Sequence, residues 1–266
     1  MVLNKVIMLG NIRRNCKNEK GCTRSFLQRF IDLICLEYVF CSGCCLKGGN
    51  GSQEKTWCMK STENAKRKPG GKKSRNFTTE SVNAMEVKAV LKLKESGRVR
   101  HVGVSNVNEE QLIRLTAVEK PACLQVEVHV LFQQKSLIAA ANRLGIPVVA
   151  YSPLGSRALT NMLAAKTGRN YPHLLELPLV LELSKKYSRT PAQILLRFLL
   201  QHGVGAIPKS TDPTRIKQNI SLWDFELNDT EMQDLHNLDR GEEGRICDFG
   251  FFIGVQTHPE FPFKKN

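Results

Sequence analysis

The feature that most constrains this chain is an alternation of short apolar strands with helical segments, which begins at Val82. The apolar runs at 99–104, 123–130, 146–151 and 204–207 have the length of strands, and segments with helical periodicity separate or follow them. Such alternation is typical of βαβ units, in which a crossover helix joins parallel strands. The sequence therefore predicts an α/β protein with four parallel strands, about half of an eight-stranded (β/α) barrel.

Capping residues set the predicted limits of the helices. Thr190 with Gln193, and Asn228 with Glu231, have the spacing of a capping box, and Asn108 is a candidate N-cap. The predicted helices cover 82–95, 109–118, 133–144, 175–187 and 191–201, and two more begin after Asp212 and Asn228. Within the strand 123–130, apolar residues alternate with polar ones, which predicts one apolar and one polar face.

Polar side chains cluster where the predicted strands end. They are Ser105, Asn106, Gln125, Tyr151, Ser152, Lys209 and Ser210. In a (β/α) barrel this edge carries the active site. The amides of Asn106 and Gln125 match a carboxamide in donors and acceptors, and the Tyr151 ring offers a flat face to a heteroaromatic ring.

A phosphate site is predicted at the last of these strands. Lys209, Ser210, Arg215 and the helix start near Asp212 would supply two cations, a hydroxyl and unpaired N–H groups. A carboxamide, a stacking ring and a phosphate together describe a nicotinamide dinucleotide phosphate. The chain has no GxGxxG motif, so the site would not be of the Rossmann type.

Residues 1–81 differ from the rest of the chain in charge and cysteine content. Residues 1–80 hold 16 of the 39 Lys and Arg but only 6 of the 25 Asp and Glu, so most of the net charge of +14 lies in this region. Seven of the nine cysteines precede residue 60. The odd cysteine count and an N-terminal apolar run too short for a secretory signal predict a reducing, cytoplasmic location. The polar stretch 47–81 predicts a mobile loop or linker.

Each sharper interpretation of residues 1–81 has a plainer alternative. The cysteines Cys41, Cys44, Cys45 and Cys58 could together bind a zinc ion. Because a second CxxC motif or a pair of histidines is lacking, we favour free thiols. The basic run 66–75 suits nucleic acid or a solvated loop, and the lack of interleaved aromatic residues favours the loop. The apolar stretch 31–46 is shorter than a spanning helix needs. We therefore expect no metal, no nucleic-acid partner and no membrane span.

The motifs from residue 82 onward resemble those of the aldo-keto reductases, close to the aldehyde and aldose reductase branch. The similar segments are GRVRHVGVSNVN, LQVEVHV, VVAYSPLGS, RTPAQILLRF, AIPKSTDPTRIKQN and WDFELNDTEM. They follow the family's order over about residues 82–263. The resemblance implies the TIM (β/α)8 barrel family, here its second half, and NADPH-dependent reduction of aldehydes and ketones to alcohols.

The resemblance also assigns cofactor contacts. Ser105, Asn106 and Gln125 would bind the nicotinamide carboxamide, and Tyr151 would stack on the nicotinamide ring. The remaining contacts are Ser152, Leu154 and Ser156 along the pyrophosphate, Lys209, Ser210 and Arg215 at the 2′-phosphate, and Gln218 and Asn219 at the adenine. The tail 246–263 resembles the family's C-terminal loop, which lines the pocket of a small carbonyl substrate.

The family's catalytic residues have no recognisable counterpart. In the family a tyrosine supplies the proton, a lysine and an aspartate lower its pKa, and a histidine orients the carbonyl. The segment 25–40 resembles the helix end and fourth strand that carry the histidine, and Glu37 takes its place. In some relatives a glutamate there accompanies reduction of a carbon–carbon double bond. Two alternatives remain: an active carbonyl reductase, or an inactive, truncated member that retains at most cofactor binding.

The sequence divides into a divergent basic region, 1–81, and an NADP-binding half barrel with its C-terminal loop, 82–266. A half barrel would leave open edges at the strands near Val99 and Val204. Residues 25–40 would cover one edge as an extra strand, or two half barrels would pair, although the family implies a monomer.

Overall fold

A five-stranded sheet forms the centre of the computed structural model, which describes residues 5–10, 90–249 and 255–263. The strands lie in the order β1 to β5. They are β1 Lys5–Gly10, β2 Val99–Ser105, β3 Leu124–Glu127, β4 Val148–Tyr151 and β5 Gly205–Ala206. Strands β2 to β5 pair in parallel, whereas β1 pairs with β2 in the antiparallel sense. The four predicted parallel strands are confirmed.

Helices connect these strands and follow the last one. They are α1 Glu109–Val118, α2 Lys135–Arg143, α3 Arg157–Thr167, α4 Pro178–Tyr187, α5 Pro191–Gln201, α6 Pro213–Ile220 and α7 Asp229–His236. Residues 90–95 are also helical, and the rest of the helix predicted at 82–95 lies outside the described residues. Short 3-10 turns occur at Leu174–Glu176, Gly241–Gly244 and Val255–Thr257.

The predicted caps start their helices. The side chain of Asn108 accepts from the backbone N–H of Gln111 at 2.9 Å, and Thr190 and Asn228 make the equivalent bonds in α5 and α7. All three form complete capping boxes. Each such cap stabilises its helix by ~1 kcal/mol, and because the contact is local it is visible in the sequence.

Helix α3 was not predicted. Its first residue follows Ser156, which has φ 41° and makes no capping hydrogen bond, so the sequence gives no start signal. The helix is held instead by packing, because Leu163 lies in a buried cluster with Tyr171 and Ile246. Gly168, with φ 69°, ends the helix in a left-handed conformation that suits glycine.

The predicted strand 123–130 is wrong in its length. Strand β3 ends at Glu127, and His129 and Phe132 form an isolated antiparallel bridge with N–H to carbonyl distances of 3.0 and 2.8 Å. Glu127 and His129, which the alternation places on the polar face, are both buried. A parallel sheet is covered on both faces, so polar alternation along one strand does not indicate exposure.

The main hydrophobic core lies between the sheet and the helices. Val104, Val126 and Ala150 of the sheet belong to the same buried cluster as Ile194 and Phe198 of α5. Burial of apolar side chains is the main source of stability here, and truncating one such leucine or isoleucine to alanine costs about 2–5 kcal/mol. The packed helices therefore hold the carboxyl ends of the strands in fixed relative positions.

One of the two expected open edges is occupied. Strand β1 pairs with β2 from Lys5 opposite Ser105 to Gly10 opposite Val99, so the predicted open edge at Val99 is wrong. Residues 25–40, predicted to cover an edge, lie outside the described residues. The outer edge of β5 has no partner among the strands that the structure describes.

Within the described ranges, no helix is long and apolar enough to cross a membrane, and no three His, Cys, Asp or Glu side chains are grouped so as to hold a metal ion. The cysteines considered for zinc before residue 60, the basic run 66–75 and the apolar stretch 31–46 lie outside these ranges.

Candidate functional site

The carboxyl ends of β2, β3 and β4 bring the predicted carboxamide and ring-stacking residues to one edge. In the ladder Ser105 lies opposite Gln125, and Glu127 lies opposite Tyr151. The backbone N–H of Asn106 donates to the Gln125 carbonyl at 3.2 Å. Parallel pairing therefore places these predicted contacts on three adjacent strands.

Asn106 and Tyr151 are joined directly. The Tyr151 hydroxyl donates to Oδ1 of Asn106 at 2.8 Å across the intervening strand β3. Asn106 is 3% exposed and has φ 56°, a left-handed conformation that asparagine tolerates better than most residues. Because Oδ1 accepts this bond, the amide orientation is set and its NH2 group faces another direction.

Tyr151 keeps its proton over a wide pH range. Burial is the largest cause that raises its pKa well above the usual 10, and the nearby Cys247 and Glu127 raise it further. Arg245 and the hydrogen bond to Asn106 act in the opposite direction. The hydroxyl therefore remains a donor to Asn106 at neutral and moderately alkaline pH.

The loop after β4 is tightly wound. Ser152, Gly155 and Ser156 all have positive φ, and the Gly155 N–H donates to the Ser152 carbonyl at 2.9 Å. A Cβ atom at Gly155 would lie 2.7 Å from the Leu174 side chain, so glycine is required by both conformation and space. Leu154 packs against the main core, whereas Ser156 is exposed. Any contact of Leu154 with a pyrophosphate would thus come from its backbone.

The predicted phosphate residues lie beyond β5, at the start of α6. Lys209 is exposed, the Arg215 side chain is 69% exposed, and the Ser210 hydroxyl accepts from the Asp212 N–H at 3.1 Å. Gln218 and Asn219 are half-buried farther along α6. Two cations and a hydroxyl therefore lie close together in the chain, in a solvent-exposed setting.

Two of the first three residues of α6 offer no unpaired N–H group to the predicted phosphate. The Asp212 carboxylate caps α6 by accepting from the Arg215 N–H at 2.9 Å, and Pro213 has no N–H to offer. Asp212 also lies 3.8 Å from the Arg215 guanidinium. Anion binding here therefore depends on side chains more than on the helix terminus.

Sequence reasoning missed a buried group beside the predicted ring-stacking residue. Glu127 accepts from the backbone N–H groups of Ile246 and Cys247 at 3.0 and 2.9 Å, and the Cys247 Sγ lies 3.9 Å from the Ser152 hydroxyl. These contacts join residues 95 to 120 positions apart, so no local pattern indicates them. Glu37, the catalytic candidate that takes the place of the family's histidine, lies outside the described residues.

The profile of the Aldo/keto reductase family matches residues 75–240, more than half of the chain. This protein belongs to the aldo/keto reductase family. Among curated relatives, Rho crystallin of Rana temporaria is 40% identical over 174 residues, which are 64% of this chain and 51% of that protein. Human aldo-keto reductase family 1 member A1 is 44% identical over 155 residues, 58% of this chain and 46% of that protein.

Solved structures agree with this assignment. The aldo-keto reductase of Bombyx mori in complex with NADP is 33% identical with a TM-score of 0.57, covering 66% of this chain and 54% of that chain. The aldose reductase from Schistosoma japonicum is 35% identical with a TM-score of 0.55, covering 67% and 53%. The predicted α/β fold of the TIM-barrel family is therefore confirmed, for part of a barrel. The chain spans about half the length of the curated relatives it matches.

Proposed function

We propose that this chain binds NADP(H) along the carboxyl ends of β2 to β5 and acts as an oxidoreductase that reduces aldehydes or ketones to alcohols. The observation that carries the proposal is the hydrogen bond from Tyr151 to Asn106 beside Gln125, on three adjacent strands of an aldo/keto reductase sheet. The group offers an amide pair for a carboxamide and an aromatic face for a ring.

The residues fit the two ends of the cofactor. Asn106, Ser105 and Gln125 would hold the carboxamide, and Tyr151 would lie against the nicotinamide. Lys209, Ser210 and Arg215 would hold the 2′-phosphate, with Gln218 and Asn219 at the adenine and Ser152, Leu154 and Ser156 between the two ends. When bound, the cofactor would supply the hydride for carbonyl reduction.

The phosphate end supports selection of NADP(H) over NAD(H). Lys209 and Arg215 are exposed cations, and the nearby carboxylate of Asp212 is already used as a helix cap. Each cation that pairs with a phosphate adds a charge-assisted hydrogen bond, which a cofactor without the 2′-phosphate lacks. We therefore expect tighter binding of NADPH than of NADH.

A second candidate function is nucleotide binding without turnover. It is favoured by the sequence before residue 82, in which the family's catalytic tyrosine, lysine, aspartate and histidine are not recognisable.

We also propose a small carbonyl substrate, a cytoplasmic location and a domain boundary between residues 81 and 82. For the oligomeric state we propose either the monomer that the family implies or a pair of half barrels. Light scattering distinguishes the two, since pairing would double the expected mass.

A titration of the full chain tests binding and turnover separately. NADPH should change its fluorescence on binding and should raise the thermal unfolding midpoint, because a ligand of the folded state stabilises it. Absence of both effects would overturn the proposed cofactor. Oxidation of NADPH by an aromatic aldehyde supports the reductase function, whereas saturable binding without oxidation supports the second candidate.

A further inference from the structure

A buried carboxylate joins the C-terminal segment (residues 240–249 and 255–263) to the sheet. Glu127 ends β3, and its side chain has no solvent exposure. Its Oε1 accepts from the Ile246 N–H at 3.0 Å, and its Oε2 accepts from the Cys247 N–H at 2.9 Å. Both oxygens are therefore directed at two consecutive backbone amides of a distant part of the chain.

These two amides are the main compensation for burying the carboxylate. No Lys or Arg forms an ion pair with Glu127 in the part of the chain that the structure describes, and its Oε1 lies 3.3 Å from the His129 Nε2. A buried carboxylate without a cation is unfavourable unless hydrogen bonds replace its hydration. Bonds from N–H groups to an ionised carboxylate are among the stronger hydrogen bonds in proteins.

The contact lies next to the proposed nicotinamide end. Glu127 is opposite Tyr151 in the ladder, and Cys247 touches Ser152, the residue after Tyr151. Burial, and then the charge of Glu127, raise the pKa of Cys247 to about 12. Cys247 therefore stays a neutral thiol and brings no second negative charge to Glu127 or to the Tyr151 ring.

Other contacts hold the C-terminal segment elsewhere. The Arg245 guanidinium lies 4.4 Å from the centroid of the Phe132 ring and 3.9 Å from that of the Phe263 ring, and it donates two hydrogen bonds to Glu242. The Glu260 carboxylate accepts a hydrogen bond of 2.6 Å from Arg114, which lies on α1. These contacts hold other positions of the C-terminal segment. Among the described residues, only Glu127 accepts hydrogen bonds from the backbone N–H groups of Ile246 and Cys247.

We propose that Glu127 is a positioning residue that holds the backbone of Ile246 and Cys247 against the ends of β3 and β4. Docking of the C-terminal segment is thereby coupled to occupation of the Tyr151 end of the sheet. The coupling rests on the proposed function, and the positioning does not. Coupling between two binding events is reciprocal, so each event must strengthen the other by the same factor.

Hydrogen exchange measured by mass spectrometry on the full chain tests the positioning. In Glu127→Gln, one side-chain oxygen still accepts a hydrogen bond from a backbone N–H. The new NH2 group faces the second backbone N–H, and because both are donors that hydrogen bond is lost. We expect at least about tenfold faster exchange of the 246–247 amides, with strand amides of β3 and β4 unchanged. Glu242→Gln is the matched control, because it weakens the Arg245 contact and leaves both amides bonded to Glu127.

Two results would overturn the positioning: unchanged exchange in Glu127→Gln, or the same increase in Glu242→Gln. If Glu127→Gln does not fold, as judged by circular dichroism, Glu127→Asp provides the test. Its charge is kept, but the side chain is one methylene shorter and cannot reach both amides. Faster exchange at 246–247 supports the inference, and wild-type exchange contradicts it.

Cofactor titrations of the same variants test the coupling. NADPH should slow exchange at 246–247 in the wild type, and Glu127→Gln should bind NADPH about tenfold more weakly. Its affinity for adenosine 2′,5′-bisphosphate, which lacks the nicotinamide, should not change. Equal NADPH affinity in both proteins would overturn the coupling. Failure of the wild type to bind NADPH would refute the proposed function and leave the exchange result to stand alone.

Discussion

The two ends of the proposed cofactor site differ in how far they are formed before a ligand binds. At the Tyr151 end, Asn106 is buried, its amide is oriented by a hydrogen bond, and the neighbouring loop is tightly packed. At the Arg215 end, the cations are exposed and lie on long side chains. A preorganised end loses little entropy on binding, whereas an exposed charged end gains affinity mainly through electrostatics.

The largest expected effect is at the preorganised end. Tyr151→Ala removes both the ring face and the bond that orients Asn106. We expect about a hundredfold weaker NADPH binding, since stacking and a buried hydrogen bond together contribute about 2–3 kcal/mol. Calorimetric titration gives the affinity. Phe225→Ala, which changes an aromatic residue beside Tyr187 away from the site, is the control. A loss of less than threefold in Tyr151→Ala would contradict the assignment.

The next largest effect is at the exposed end. Lys209→Met with Arg215→Met should weaken NADPH binding about tenfold or more and leave NADH binding unchanged, because only NADPH carries the 2′-phosphate. The difference should shrink in about 1 M salt, where the Debye length is roughly 3 Å. Fluorescence titrations at two salt concentrations measure it. An equal loss for NADH would show that the cations do not read the 2′-phosphate.

A smaller effect separates the two roles of Tyr151. Tyr151→Phe keeps the ring and removes only the donor to Asn106, so we expect about a three- to tenfold loss of NADPH affinity, equivalent to ~1 kcal/mol. The loss should be absent for a cofactor analogue without the carboxamide. A loss of the same size for that analogue would show that the hydroxyl does not act through the amide of Asn106.

The smallest effect concerns pH. Because burial raises the pKa of Tyr151, its neutral form is favoured in the folded protein and persists above the ordinary pKa of 10. The affinity for NADH, a cofactor without the 2′-phosphate, should therefore be constant from about pH 7 to 9.5. NADPH binding should weaken below about pH 6, where a phosphate monoester gains a proton. A decrease in NADH affinity already at pH 8 would contradict the neutral tyrosine.

Local signals in the sequence predicted much of this fold. The caps at Asn108, Thr190 and Asn228 depend on residues three positions apart, and their helices begin where the sequence places them. The pairing of β1 with β2 joins residues 89 to 100 positions apart, and no local pattern indicates it. Helix α3 lacks a cap, so only its tertiary packing explains it.

The site was predictable to a similar extent. The rule that strand ends gather polar residues places Asn106, Gln125 and Tyr151 together. It does not show that Asp212 caps α6 by accepting from the Arg215 N–H, for which an N-cap and an anion would compete. The burial of Glu127 could not be predicted from the sequence, because the amides that it binds lie at 246 and 247.

The most direct test of the cofactor site is a crystal structure of the full chain with NADP+. The nicotinamide should lie against the Tyr151 ring with its carboxamide bonded to Asn106, and the 2′-phosphate should contact Lys209 and Arg215. Density for the cofactor at another edge, or with its phosphate away from both cations, would contradict the proposed site.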